Sequence, residues 1–114
     1  MLKIKRVYET PDKDDGIRVM VDRLWPRGLS KEKAKIDKWM KEVAPSDSLR
    51  KWFGHQKERW EEFKVRYFEE LKGKKSFLEE LEMLSKNKTV TLLYAAKDKD
   101  MNNAQALFKF IKRK

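Results

Sequence analysis

Thr89-Val90-Thr91-Leu92-Leu93-Tyr94-Ala95 is short, β-branched at its start and apolar on both alternating faces. A strand exposed on one side alternates apolar and polar residues, whereas one covered on both sides has no need to. This stretch is therefore read as a central strand. The segments before it, around Phe77 to Leu84, and after it, around Ala104 to Ile111, have helical spacing. A central strand between helices implies crossover connections, and so a largely parallel sheet flanked by helices: a small, single-domain α/β fold over residues 1–114.

Working outward, Ile17-Arg18-Val19-Met20-Val21-Asp22-Arg23-Leu24 is a second apolar strand, stopped by Trp25-Pro26-Arg27-Gly28. Leu2 to Tyr8 alternates apolar and charged residues, as a half-exposed strand does. The turn-rich Asp12 to Gly16 separates these two, so they are also close enough to pair as a hairpin. Ser30 is placed to cap a short helix from Lys31, and Ser46 another carrying Leu49, Trp52 and Phe53. Ile36, Trp39, Met40 and Val43 have the i, i+3, i+4, i+7 spacing of an amphipathic helix, with a strand over the same residues as the alternative. Trp60, Phe63, Tyr67, Phe68 and Leu71 mark one helical stripe that ends at Gly73. Ser76-Phe77-Leu78-Glu79 has the spacing of a capping box.

Charged residues make up 42% of the 114 positions and the net charge is +10, which invites a polyanionic partner. The charge is spread rather than concentrated: residues 1–60 hold 16 basic against 10 acidic side chains, and residues 61–114 hold 13 against 9. Interleaved Lys and Glu usually coat solvated helix faces. The least mixed cluster, Lys109 to Lys114, lies at a helix end that favours cations anyway. Weak, non-specific nucleic-acid binding at low salt is the expectation. There is no cysteine, and no apolar run suits a signal peptide or a membrane span, so a soluble, cytoplasmic protein is expected. Oligomeric state is left open.

Two stretches carry residues suited to a site. Asp22 to Gly28 follows a strand, and ligands in open α/β sheets bind beyond the carboxyl ends of strands. Arg23 and Arg27 flank Trp25 there, two guanidiniums that match carboxylate or phosphate beside an indole that can stack. The competing explanation is structural, with Asp22 paired to a neighbouring arginine and Trp25-Pro26 covering a core edge. Tyr94 to Asn103 leads from the central strand into the last helix, and Lys97 would add charge to a helix N-terminus. Asp100 or Asn102 as a plain cap is the simpler account, because the junction lacks the glycines of a phosphate loop. His55, the only histidine, and Asp22 are the candidates for a general base, while Arg50 and Trp52 lie on the turn before His55. One histidine and no cysteine leave no metal set, and no cofactor or nucleophile motif is present.

Arg6-Val7-Tyr8, Asp15-Gly16-Ile17-Arg18-Val19, Val21-Asp22-Arg23-Leu24-Trp25-Pro26-Arg27-Gly28, Ala44-Pro45-Ser46, Leu49 to His55, Arg59-Trp60, Leu92 to Asp98 and Asn103-Ala104 occur in this order. Together they resemble the YeaO-like proteins, a branch of a larger family of unknown function, over nearly the whole chain. The resemblance implies a compact α/β fold and a strand in residues 36 to 42, but no catalytic residues. Other branches of the larger family carry a Cys-His-Arg cluster near the last strand-to-helix junction. Here Asp100-Met101-Asn102-Asn103 occupies that place without a thiol, so thiol chemistry does not carry over. The expectation is a small anionic or phosphorylated, nucleotide-type ligand held by Arg23, Trp25, Arg27, Arg50, Trp52, Lys97 and Asn103. A nucleic-acid-binding protein and a small enzyme are the alternatives.

Overall fold

A computed structural model describes residues 1–113; Lys114, the end of the basic cluster, lies outside the described residues. Four strands, β1 (Leu2–Arg6), β2 (Ile17–Met20), β3 (Lys38–Trp39) and β4 (Val90–Tyr94), form one sheet in the order β1-β4-β2-β3 with every pairing parallel. Among the described residues five α-helices accompany it: α1 (Lys31–Ala34), α2 (Asp47–Phe53), α3 (Trp60–Lys72), α4 (Lys75–Asn87) and α5 (Asn103–Lys112). The expected parallel α/β fold is the one observed.

β4 is buried along its whole length and hydrogen-bonded on both sides. Its alternate residues serve two cores. Leu92 and Tyr94 join Val19, Val21, Phe63, Tyr67 and Leu107 on one face, under α2 to α5. Leu93 joins Val7, Met20, Ala34 and Ile36 on the other. No helix among the described residues is long and apolar enough to cross a membrane.

Three expectations are corrected. β1 and β2 do not form a hairpin, because β4 lies between them and parallel to both. Gly16 directs the chain there: its φ is +65°, and a Cβ would fall 2.2 Å from the Thr89 carbonyl oxygen, so only glycine lets Ile17 N–H reach that oxygen at 2.9 Å. The helix over Ile36 to Val43 is absent. Lys35 turns left-handed (φ 49°), Lys38 and Trp39 pair with β2, and Lys41–Val43 is a 3₁₀ turn. The stripe misleads because its members part company, Ile36 packing on one face of the sheet and Met40 and Val43 on the other. The capping box at Ser76 does not form either. Only Gly73 and Lys74 separate α3 from α4, Lys74 occupies the cap position, and Leu78 N–H already bonds the Lys74 carbonyl. The caps at Ser30 and Ser46 do form, their hydroxyls accepting from Lys33 and Leu49 N–H.

Candidate functional site

In an all-parallel sheet every strand ends on the same side. β2 and β4 are neighbours, so Asp22–Gly28 and Ala95–Asn103 emerge next to each other. Between them and α2 lies a cleft of about 770 Å³, within the roughly 300–1,000 Å³ usual for small-ligand sites.

One wall begins where the ladder stops. Val21 N–H still bonds the Leu93 carbonyl, and then the Asp22 carboxylate takes over, accepting from Ala95 N–H at 2.9 Å. The Asn103 amide, in the first turn of α5, donates to the Val21 carbonyl at 2.9 Å and also bonds Asp22. Asp22 is therefore not paired with its neighbouring arginine. Burial pushes its carboxyl above the ordinary range, and the Ala95 N–H, Asn103 and the nearby His55 offset this only in part. Arg23 instead donates through Nε to the Pro45 carbonyl at 2.9 Å.

The bend that follows combines buried Pro26 with Gly28 at φ +75°. Trp25 donates its indole N–H to the Leu29 carbonyl and meets Trp39 edge-on at 5.3 Å, covering the second core while also lining the cleft. Trp25 thus serves the core edge as well. Tyr8 donates to the Arg27 carbonyl and ties the bend to the end of β1. No hydrogen bond or ion pair engages the side chains of Arg27 and Lys97 among the described residues, and both are exposed.

The opposite wall comes from α2. Arg50 bonds Asp47 at 2.7 Å, and its buried Nε has no hydrogen-bond partner among the described residues. Phe53 and Phe63, stacked at 4.5 Å, floor the cleft. Gly54 and His55 are both left-handed, at φ 49° and 59°, which leaves His55 exposed at the mouth. Histidine is among the non-glycine residues that visit this region more often than most. Asn102 caps α5, its side chain accepting from Gln105 N–H, so the cap account of this junction holds. Asp98 accepts from Met101 and Asp100 N–H, bonds that hold its carboxyl below the ordinary range.

Asp22, Arg23, Trp25, Arg27, Arg50, His55, Lys97 and Asn103 thus line one cleft. Trp52 does not reach it. Its ring lies under the guanidiniums of Arg66, at 4.2 Å, and Arg59, at 5.3 Å. Arg6, Tyr8 and Phe53 also line the cleft, and no local sequence pattern marks them as site residues. The end of β1 would have pointed to the first two, but only with β1 known to be parallel to β4.

Fold and site together define a small parallel α/β domain with an apolar-floored cleft, basic around its rim, at the carboxyl ends of the strands. A family described as "Inactive DUF488-N3 subclade" matches residues 1–114. An uncharacterised protein of Mycobacterium tuberculosis is 43% identical over 106 residues, covering 93% of this chain and 89% of that protein. The uncharacterised YeaO protein of Escherichia coli is 39% identical over 106 residues, 93% of this chain and 92% of its own. The chain belongs to this YeaO-like family. No solved structure matches it.

Proposed function

We propose that the cleft binds a small anionic ligand of nucleotide type and does so without turning it over. The observation that carries this reading is that Arg27 and Lys97, from the loops after two adjacent parallel strands, line one cleft with their charges unspent. Among the described residues no carboxylate pairs with the terminal guanidinium nitrogens of Arg23, and Trp25 offers an aromatic surface nearby. Cations around an apolar floor suit a ligand with a planar body and a phosphate or carboxylate. Binding without turnover is supported by the family's description as inactive, and by Asp22 already accepting bonds from Ala95 and Asn103.

The test is a thermal-shift screen of the full chain against nucleotides, phosphorylated metabolites and short oligonucleotides. A ligand at a hundred times its Kd stabilises the native state by about 2.7 kcal/mol. Saturable upward shifts with nucleotides are expected. Shifts with oligonucleotides alone would replace this reading with a nucleic-acid one.

A further inference from the structure

We propose, resting on the reading of the cleft as a nucleotide site, that its ligand is a guanine nucleotide, with the base edge on Asp22 and the phosphate on Arg27 and Lys97. Asp22, Arg27 and Lys97 all line the cleft, and Asp22 is paired with neither cation among the described residues. Five cationic side chains line it, yet none forms an ion pair with Asp22 among the described residues. Three of the five are directed elsewhere: Arg6 to the Ala96 carbonyl, Arg23 to the Pro45 carbonyl and Arg50 to Asp47. The fold thus keeps the Asp22 carboxylate out of any ion pair with the arginines and lysine of the cleft, with only the nearby His55 adding favourable charge.

An ionised carboxylate is an acceptor only, with about four lone-pair sites. Ala95 N–H and the Asn103 amide take part of that capacity, which leaves room for donors from the cleft. A desolvated acceptor left unmatched is costly, so the ligand best suited to it brings N–H groups to Asp22 and no lone pair. Among the nucleobases, guanine does this, presenting its ring N1–H and 2-amino group side by side. Adenine and cytosine present a donor beside an acceptor, and the acceptor would face the carboxylate. Uracil and thymine present one N–H between two carbonyls. Trp25 supplies a surface for stacking, and a cleft of about 770 Å³ accommodates a mononucleotide. Burial raises the Asp22 carboxyl, and donors from the base would favour its ionised form. A protonated Asp22 would prefer adenine instead, which the test distinguishes.

The experiment is isothermal titration of the full chain with the monophosphates of guanosine, inosine, xanthosine and adenosine, and with inorganic phosphate. Guanosine monophosphate is expected to bind, and inosine monophosphate, which lacks the 2-amino group, about tenfold more weakly or worse. In Asp22→Asn the amide replaces one acceptor by a donor and can still accept from Ala95 N–H. Affinity for guanosine monophosphate is expected to fall and that for xanthosine monophosphate, with a carbonyl at position 2, to rise. Loss of stability alone would not exchange the two preferences. Circular dichroism checks the fold of the variant, and if it does not fold, the guanosine-to-inosine ratio of the unaltered chain decides. Equal binding of all four nucleotides, a preference for adenosine, or an unchanged preference in folded Asp22→Asn overturns the guanine assignment and leaves the nucleotide reading intact. Binding of none of the probes removes that reading as well.

Discussion

Asp15 and Asp22 stand two residues outside the opposite ends of β2, and the fold treats them in opposite ways. Asp15 is only 3% exposed and forms ion pairs with Arg18 at 2.5 Å and Lys5 at 3.2 Å. Arg18 directs Nε to the carbonyls of Ala34 and Lys35 and Nη2 to that of Ala34, and Asp12 N–H also donates to Asp15. Burial pushes the Asp15 carboxyl up, but bonds from Asp12 N–H, Lys5 and Arg18 together bring it below the ordinary range. At the other end, Asp22 is bonded by one backbone N–H and one amide, without an ion pair, and burial raises its carboxyl. The first carboxylate is fully used in joining β2 to α1 and β1. The second is held in place but left with accepting capacity toward a cleft. Satisfied charge marks scaffold, and charge positioned without a partner marks a candidate site.

The same substitution at both positions puts this contrast to its hardest test. Asp15→Asn removes the counter-charge of a buried arginine and is expected to cost about 3–5 kcal/mol in urea denaturation. A loss below about 1 kcal/mol would make Asp15 no more structural than Asp22. Next in size is the rim. Arg27→Leu removes an unpaired surface cation, so affinity for a phosphate-bearing ligand should fall about tenfold, or roughly 1.4 kcal/mol, by titration. Its melting temperature should hardly move, since such surface changes stay within about 0.5 kcal/mol. A destabilised Arg27→Leu would make the bend scaffold.

Asp22→Asn is expected to shift stability by less than about 1 kcal/mol, and its pH dependence should run opposite to that of Asp15→Asn. A lowered native carboxyl contributes stability above its unfolded value of about 3.9, lost as pH falls through the native value. The gap between the unaltered chain and Asp15→Asn should therefore close in acid. A raised native carboxyl favours the fold below about 3.9 and loses that advantage as pH rises through the native value. Relative to the unaltered chain, Asp22→Asn should thus gain stability with rising pH. Denaturation curves from pH 3 to 8 give both slopes, and equal signs would dissolve the comparison. The smallest effect is expected with nucleic acid. Anisotropy titrations with duplex DNA should show weak binding at low salt, falling by about 0.9 in log affinity per phosphate contacted for each log unit of salt. Tight binding at physiological salt would assign the unpaired cations to a polymer.

Local pattern made some of this legible and left the rest hidden. β4 could be read because burial on both faces leaves a strand, Val90 to Tyr94, with no charged residue and only Thr91 polar. The strand order could not, since placing β4 between β1 and β2 depends on pairings more than seventy residues apart, such as Ile4 with Leu92. The stretch from Ile36 to Val43 misled because helical spacing was satisfied by residues that pack on opposite faces of a sheet. At the site, Asp22 to Gly28 and Tyr94 to Asn103 were legible because each lies at the end of an identifiable strand. Trp52 was drawn in by its neighbours Arg50 and His55, but residues i and i+2 of a helix do not face the same way, and its ring lies under Arg59 and Arg66 instead. Arg6 and Phe53 became visible only with the tertiary arrangement.

β3 is two residues long, Lys38 and Trp39, and it forms one margin of the sheet. A passing chain could add only a pair or so of backbone bonds there before the 3₁₀ turn at Lys41 carries the edge away. The opposite margin, β1, carries Lys3 and Lys5 among its five residues. Short or lysine-bearing edges are the usual means by which sheets avoid joining end to end. The apolar centre of this molecule, dry on both faces, is thereby kept from becoming the seed of a fibre.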